Sequence, residues 1–139
     1  IGMEKVIMKT SYGDTGYCCM CELLPGWTAS SGKDFKKFDS YVRESIDFYL
    51  DCARKDGDGY PSVFDSEYEI EYEFDIRALL NYYQHLLPFS GLQDITGINQ
   101  KQLAHYAAGR QRPRPKRAKY IETCIHNFAD ELKKVNVWV

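Results

Sequence analysis

The chain has 139 residues, 44% apolar and 14% aromatic, with a net charge of −2. That is enough apolar material for one ordinary domain or two small ones sharing a core, and it excludes a disordered tail. No apolar run reaches the about 18 residues of a membrane span and no signal-peptide pattern opens the chain, so a cytoplasmic protein without a membrane partner is expected. Ile1-Gly2, ahead of Met3, reads as foreign to the natural chain.

From Lys5 to Tyr12 the pattern alternates, with Val6, Met8 and Thr10 on one face and Lys5 and Lys9 on the other, which predicts a strand. Gly13-Asp14-Thr15-Gly16 reads as a turn, Tyr17 to Leu24 as a second strand, and Trp27 to Ser30, after the Pro25-Gly26 break, as a short third. Connections this short predict an antiparallel meander. The second strand holds three of the five cysteines, Cys18, Cys19 and Cys21. No CxxC pair or histidine spacing accompanies them, so they are read as small buried hydrophobes, and no metal site is expected. A disulfide framework does not fit a cytosolic chain.

Asp34 caps an amphipathic helix whose stripe is Phe35, Phe38, Val42, Ile46, Tyr49, Leu50 and Ala53. A loop follows at residues 57–62. Tyr68, Ile70, Tyr72 and Phe74 then alternate strictly with Glu67, Glu69, Glu71 and Glu73, so one strand face is core and the other acidic. Such a face either solvates the strand and guards its edge or offers a contact surface to a basic partner.

The remaining chain reads as helical. Asp75 caps a helix carrying Ile76, Leu79, Leu80, Tyr83, Leu86 and Leu87, which Pro88 ends; Ser90 with Gln93 makes a capping-box match for a short helix through Leu92 and Ile95. Gly97 suits a turn that needs positive φ, Asn99 is a good N-cap with Gln102 at capping-box spacing, and Gly109 stops the helix between them. Leu103 and Tyr106 point inward and leave Gln100, Lys101, Gln102 and His105 outside. Pro113 and Pro115 punctuate a basic arm, and a last helix carries Ala118, Ile121, Ile125, Phe128, Leu132 and Val135 on one stripe. The tail to Val139, with Trp138, is apolar enough to pack against a subunit partner.

Charge is unevenly shared. Residues 1–75 hold 8 basic and 16 acidic side chains, whereas residues 76–139 hold 10 and 4. Between Gln100 and Lys119 there are seven basic residues and no acidic one. A helix presenting amides, a lysine and a histidine, followed by arginines, suits a DNA major groove. Lys101 could donate to guanine and Gln100 pair with adenine, while Arg110, Arg112, Arg114, Lys116 and Arg117 would hold the phosphate backbone.

Together these residues resemble a known family. Leu24-Pro25-Gly26 after the second strand, with a helix ending near Phe48-Tyr49-Leu50, is similar to the HicB antitoxins. Thr96-Gly97-Ile98-Asn99-Gln100 through Tyr106-Ala107-Ala108-Gly109 to Pro113 looks like the Cro/phage-repressor type of helix-turn-helix that many HicB proteins carry. The two cover nearly all of residues 3–135. The resemblance implies an α+β chain: a partial ribonuclease-H-like β-β-β-α-β front over 3–74 that binds a HicA-like ribonuclease toxin, then an all-α helix-turn-helix domain over 75–135 that binds double-stranded operator DNA as a repressor. It also implies a homodimer or higher oligomer, base contacts from Gln100, Lys101 and His105, phosphate contacts from Gln102, Arg110 and Arg112, and a capping place for Asn99.

Two other classes of function fit the residues less well. A metal-dependent nuclease needs converging carboxylates, usually starting inside the first strand. Lys5 to Ser11 has none, Asp14 is in a turn, and the strand glutamates lie in a row. His85, His105 and His126 all lie in the helical half, away from the cysteines, so no catalytic residue, cofactor or enzyme activity is expected. A protein-interaction module without DNA affinity is the remaining alternative, as is a DNA-binding regulator whose front senses another partner.

Overall fold

A computed structural model describes residues 2–139. Strands β1 (Glu4–Gly13), β2 (Gly16–Met20) and β3 (Thr28–Ser30) form the meander, and β4 (Tyr68–Phe74) completes a four-stranded sheet in the order β3-β2-β1-β4. The β1–β2 and β2–β3 pairs are antiparallel, with Lys9 opposite Met20 and Cys19 opposite Ala29. β4 runs parallel to β1, Glu4 opposite Tyr68 and Thr10 opposite Phe74. A parallel neighbour requires a long crossover, and α1 (Phe35–Asp56) supplies it. The chain is α+β: this mixed sheet is followed by helices α2 (Ile76–Tyr83), α3 (Phe89–Thr96), α4 (Gln100–Ala108) and α5 (Pro115–Lys133).

Local chemistry sets the ends of these elements. The tight β1–β2 turn brings Gly16 to φ +119°, and a Cβ there would lie 2.2 Å from the Gly32 carbonyl oxygen, so only glycine fits. The Asp34 carboxylate accepts the Lys37 amide at 3.1 Å and opens α1. Phe38, Val42, Ile46, Leu50 and Ala53 are buried along α1, with Val6, Met8, Cys19 and Ala29 from the sheet. Aromatic rings close this layer: Phe35 meets Tyr72 edge-on at 4.9 Å and Tyr17 at 5.2 Å. The Trp27 indole N–H donates to Ser45 on α1 at 3.0 Å, and the Tyr72 hydroxyl donates to Asp39 at 2.6 Å.

On the opposite sheet face Lys5 and Lys9 of β1 lie beside Glu69, Glu71 and Glu73 of β4, because the parallel register puts Lys5 opposite Glu69 and Lys9 opposite Glu73. Lys5 pairs with Glu71 at 3.8 Å and Lys9 with Glu22 at 2.6 Å.

Several expected boundaries move. β2 ends at Met20, four residues before Leu24. The reason is burial: Cys21 and Leu24 both reach the core, which two residues an odd number apart cannot do from one strand. The chain instead turns, with the Leu24 amide on the Cys21 carbonyl at 3.1 Å. Cys19 and Cys21 are buried as expected, but Cys18 is exposed on the other face, its sulfur 3.0 Å from the Ser11 hydroxyl. Burial pushes the Cys19 thiol up to about 12. α2 stops at Tyr83, where the Tyr83 carbonyl accepts both the Leu86 and Leu87 amides. Pro88 disfavours helix at the residue before it, so the turn comes early and Leu86 is left 66% exposed.

The chain divides into two compact units, Ile1–Ala78 and Leu79–Val139. No helix among the described residues is long and apolar enough to cross a membrane.

Candidate nucleic-acid interface

The second unit is built around the α3–α4 turn. Leu92, Thr96, Ile98, Leu103, Tyr106 and Ile121 are buried there, so α3, α4 and α5 share one small core. Thr96 ties the turn: its hydroxyl donates to the Leu92 carbonyl at 2.7 Å and accepts the Ile98 amide at 3.1 Å. Its own carbonyl takes the Tyr120 hydroxyl from α5 at 2.7 Å. Gly97, at φ +74°, adopts the left-handed conformation that ends α3 in a short reversal. On the far side the Asn81 amide donates to the Ala107 carbonyl at 2.9 Å, joining α2 to the end of α4.

The start of α4 is closed by side chains. Asn99 accepts the Lys101 amide at 2.8 Å, and Gln93 reaches across from α3 to accept the Gln100 amide, also at 2.8 Å. Two expectations are corrected here. Gln102 does not complete a capping box; its amide donates to Gln111 instead. Ser90 does not cap α3: Pro88 holds that position with its preset backbone, Ser90 lies inside the first turn, and Gln93 serves the next helix. The first amides of α3 consequently carry no side-chain cap.

Gln100 and Lys101 are exposed at the front of α4. His105, one turn on, is half-buried, and its Nδ1 lies 3.5 Å from the Arg110 guanidinium. Gln102 is half-buried through its bond to Gln111. Gly109 at φ +77° ends the helix, and Arg110, Arg112 and Arg114 follow, all exposed. The basic arm is shorter than the prolines suggested. Pro115 is the first residue of α5, so Lys116 and Arg117 ride on a rigid helical turn.

Lys119 pairs with Glu122, but among the described residues Lys101, Arg110, Arg112, Arg114, Lys116 and Arg117 make no ion pair. Six cations without a carboxylate partner, one on the first turn of α4 and five from its C-terminal end into the first turn of α5, make this stretch of the unit strongly positive. Such a surface can neutralise phosphates, while an exposed amide and ammonium can read base edges.

The fold adds residues that the periodicity did not single out. A depression of about 390 Å³ beside Gln100 and Lys101 is lined also by Phe89 and Ala104. Ala104 stands four residues after Gln100 on the same helix face, a spacing legible in the sequence, whereas Phe89 arrives from α3 through tertiary packing alone. Among the described residues no three His, Cys, Asp or Glu side chains converge as a metal-binding group.

Comparison with protein-family models, with curated proteins and with solved structures finds no match to this chain.

Proposed function

We propose that this protein is a DNA-binding transcriptional repressor of the antitoxin type, similar to HicB proteins. α4 enters the major groove of operator DNA with Gln100 and Lys101 at the base edges and His105 behind them. Arg110, Arg112, Arg114, Lys116 and Arg117 hold the phosphate backbone, with Gln102 supporting the arm through Gln111. The observation that carries the reading is the set of six cations without an ion-pair partner, Lys101 on α4 and Arg110 to Arg117 after it. The uncapped first amides of α3 support it further, since a helix N-terminus with free N–H groups attracts a phosphate.

For the front unit we propose capture of a basic protein partner, a HicA-like ribonuclease toxin. The support is the exposed sheet face with Glu69, Glu71 and Glu73 on its edge strand, and the resemblance of the β-β-β-α-β order to a partial ribonuclease-H-like fold.

A mobility shift on DNA from upstream of the protein's own gene, at two salt concentrations, tests the DNA reading. Specific binding that weakens with salt is the expected result. Absence of binding at low salt would remove the repressor function and leave a protein-interaction module.

A further inference from the structure

The depression beside Gln100 and Lys101 has an apolar side that hydrogen bonding to bases does not use. Phe89 and Gln93 stand four residues apart on one face of α3. Gln93 accepts the Gln100 amide at 2.8 Å, so the face carrying Phe89 is turned toward the start of α4. Gln100 and Ala104 share a face of α4 by the same spacing. Together with Asn99 and Lys101 they line a recess of about 390 Å³, in which Phe89 and Ala104 are half-buried. The Asn99 side chain is committed to the Lys101 amide, whereas the Gln100 carboxamide makes no bond among the described residues.

We propose that this recess reads the 5-methyl group of a thymine in the major groove, with Phe89 and Ala104 as its apolar wall beside an adenine bonded by Gln100. Among the base edges of the major groove only thymine presents an apolar group, and alanine and phenylalanine side chains are suited to contact it. Cytosine in the same place would turn its N4 amino group toward that wall and leave a donor unpaired. Gln100 thus selects by hydrogen bonds, and Phe89 and Ala104 by apolar contact.

The wall is fixed by bonds within the unit. Pro88 opens α3 with its preset backbone, and the Leu92 amide donates to its carbonyl at 2.9 Å. The Gln93 bond then ties that helix to the first turn of α4. A wall held in this way loses little side-chain freedom when a base edge arrives, which favours discrimination. The inference rests on the DNA-binding reading of α4 and deepens it: Phe89, from the helix before the turn, becomes a specificity residue. Neither Phe89 nor Ala104 carries charge, so their contribution is to sequence preference and not to the salt dependence that phosphate contacts produce.

The test replaces thymine by uracil, which lacks only the methyl. The full chain is bound to DNA from upstream of its own gene carrying random uracil substitutions, and the bound and free fractions are compared position by position. A thymine in the bound site should emerge at which uracil weakens binding about four-fold, the worth of one buried methyl. Duplexes with thymine or uracil at that position are then titrated with Phe89→Ala and with Ala104→Gln, whose longer side chain fills the recess. In both variants the thymine-to-uracil affinity ratio should fall from about four to about one. The ratio is taken within each protein, so a general loss of folding or affinity cancels, and Ala104→Gln serves if Phe89→Ala fails to fold. Binding with no uracil-sensitive thymine, or a ratio that stays near four in the folded variants, would overturn the methyl reading while the repressor reading stands. Absence of DNA binding would remove the repressor reading and this inference with it.

Discussion

Lys101 and Arg112 are both exposed cations, yet the proposed function gives them different roles. Lys101 sits on the first turn of α4, whose start is held by the Asn99 cap, and in the proposed complex its ammonium would reach a base edge. Arg112 lies outside any helix, and in the proposed complex it would meet only phosphate. Lys101→Ala is expected to relax preference at one base pair, a discrimination of about 1–3 kcal/mol, whereas Arg112→Ala should weaken all sequences alike. Competition between matched and scrambled operators separates the two, and uniform loss from Lys101→Ala would end its role as a reader. In the front unit Asp39 makes a second residue-scale case. Burial raises its carboxyl, but the bonds from Tyr72 and Arg43 outweigh burial and hold it below the usual carboxylate value. A folded pKa below the unfolded one contributes stability that is fully present above about pH 4 and is lost as pH falls through the folded value. Asp39→Asn should therefore flatten the acid limb of a urea-midpoint profile. Trp27 fluorescence in a Trp138→Phe background reports this limb, because Trp27 is bonded to α1.

At the scale of elements, turns and caps matter more than propensity. Gly16 is fixed twice over, by its positive φ and by the Gly32 carbonyl that a Cβ would strike. Gly16→Ala should cost at least about 2 kcal/mol, seen as a lower urea midpoint by Trp27 fluorescence; an unchanged midpoint would show that the β3–α1 segment yields freely. Asn99→Ala removes the cap of α4 and should cost about 1 kcal/mol of stability, read by thermal unfolding of the helical signal. The ends of β2 and α2 escaped the pattern for a related reason. A run such as Cys18 to Leu24 has strand composition throughout, and the need to bury both Cys21 and Leu24 decides where it turns. Gln93 and Ser90 likewise match a capping box by spacing, yet Pro88 claims the cap and Gln93 bonds the neighbouring helix.

For the whole molecule the near-neutral total conceals opposite halves, −8 over residues 1–75 and +6 over residues 76–139. The five cations assigned to phosphate predict that log K falls with log salt at a slope of about −4.5 per chain. Titrations between 50 and 200 mM salt check this, and a slope near zero would contradict phosphate contact. The acidic front should not share in that dependence, so substitutions at Glu69, Glu71 and Glu73 are expected to leave the slope unchanged.

Much of the candidate interface is legible in the sequence. Gly97, Asn99 and Gly109 announce their roles through backbone chemistry local to each residue, and exposed Gln100 and Lys101 follow from the buried phase set by Leu103 and Tyr106. The strand faces and α1 were equally plain, because periods of two and 3.6 are local properties. Contacts between distant residues were not. Nothing in the local pattern pairs Gln102 with Gln111, brings Phe89 beside Lys101, or says that Ile121 finds a core while Leu132 does not. A hydrophobic stripe records that a face must be covered; which part the chain covers itself depends on the neighbours that folding brings to it.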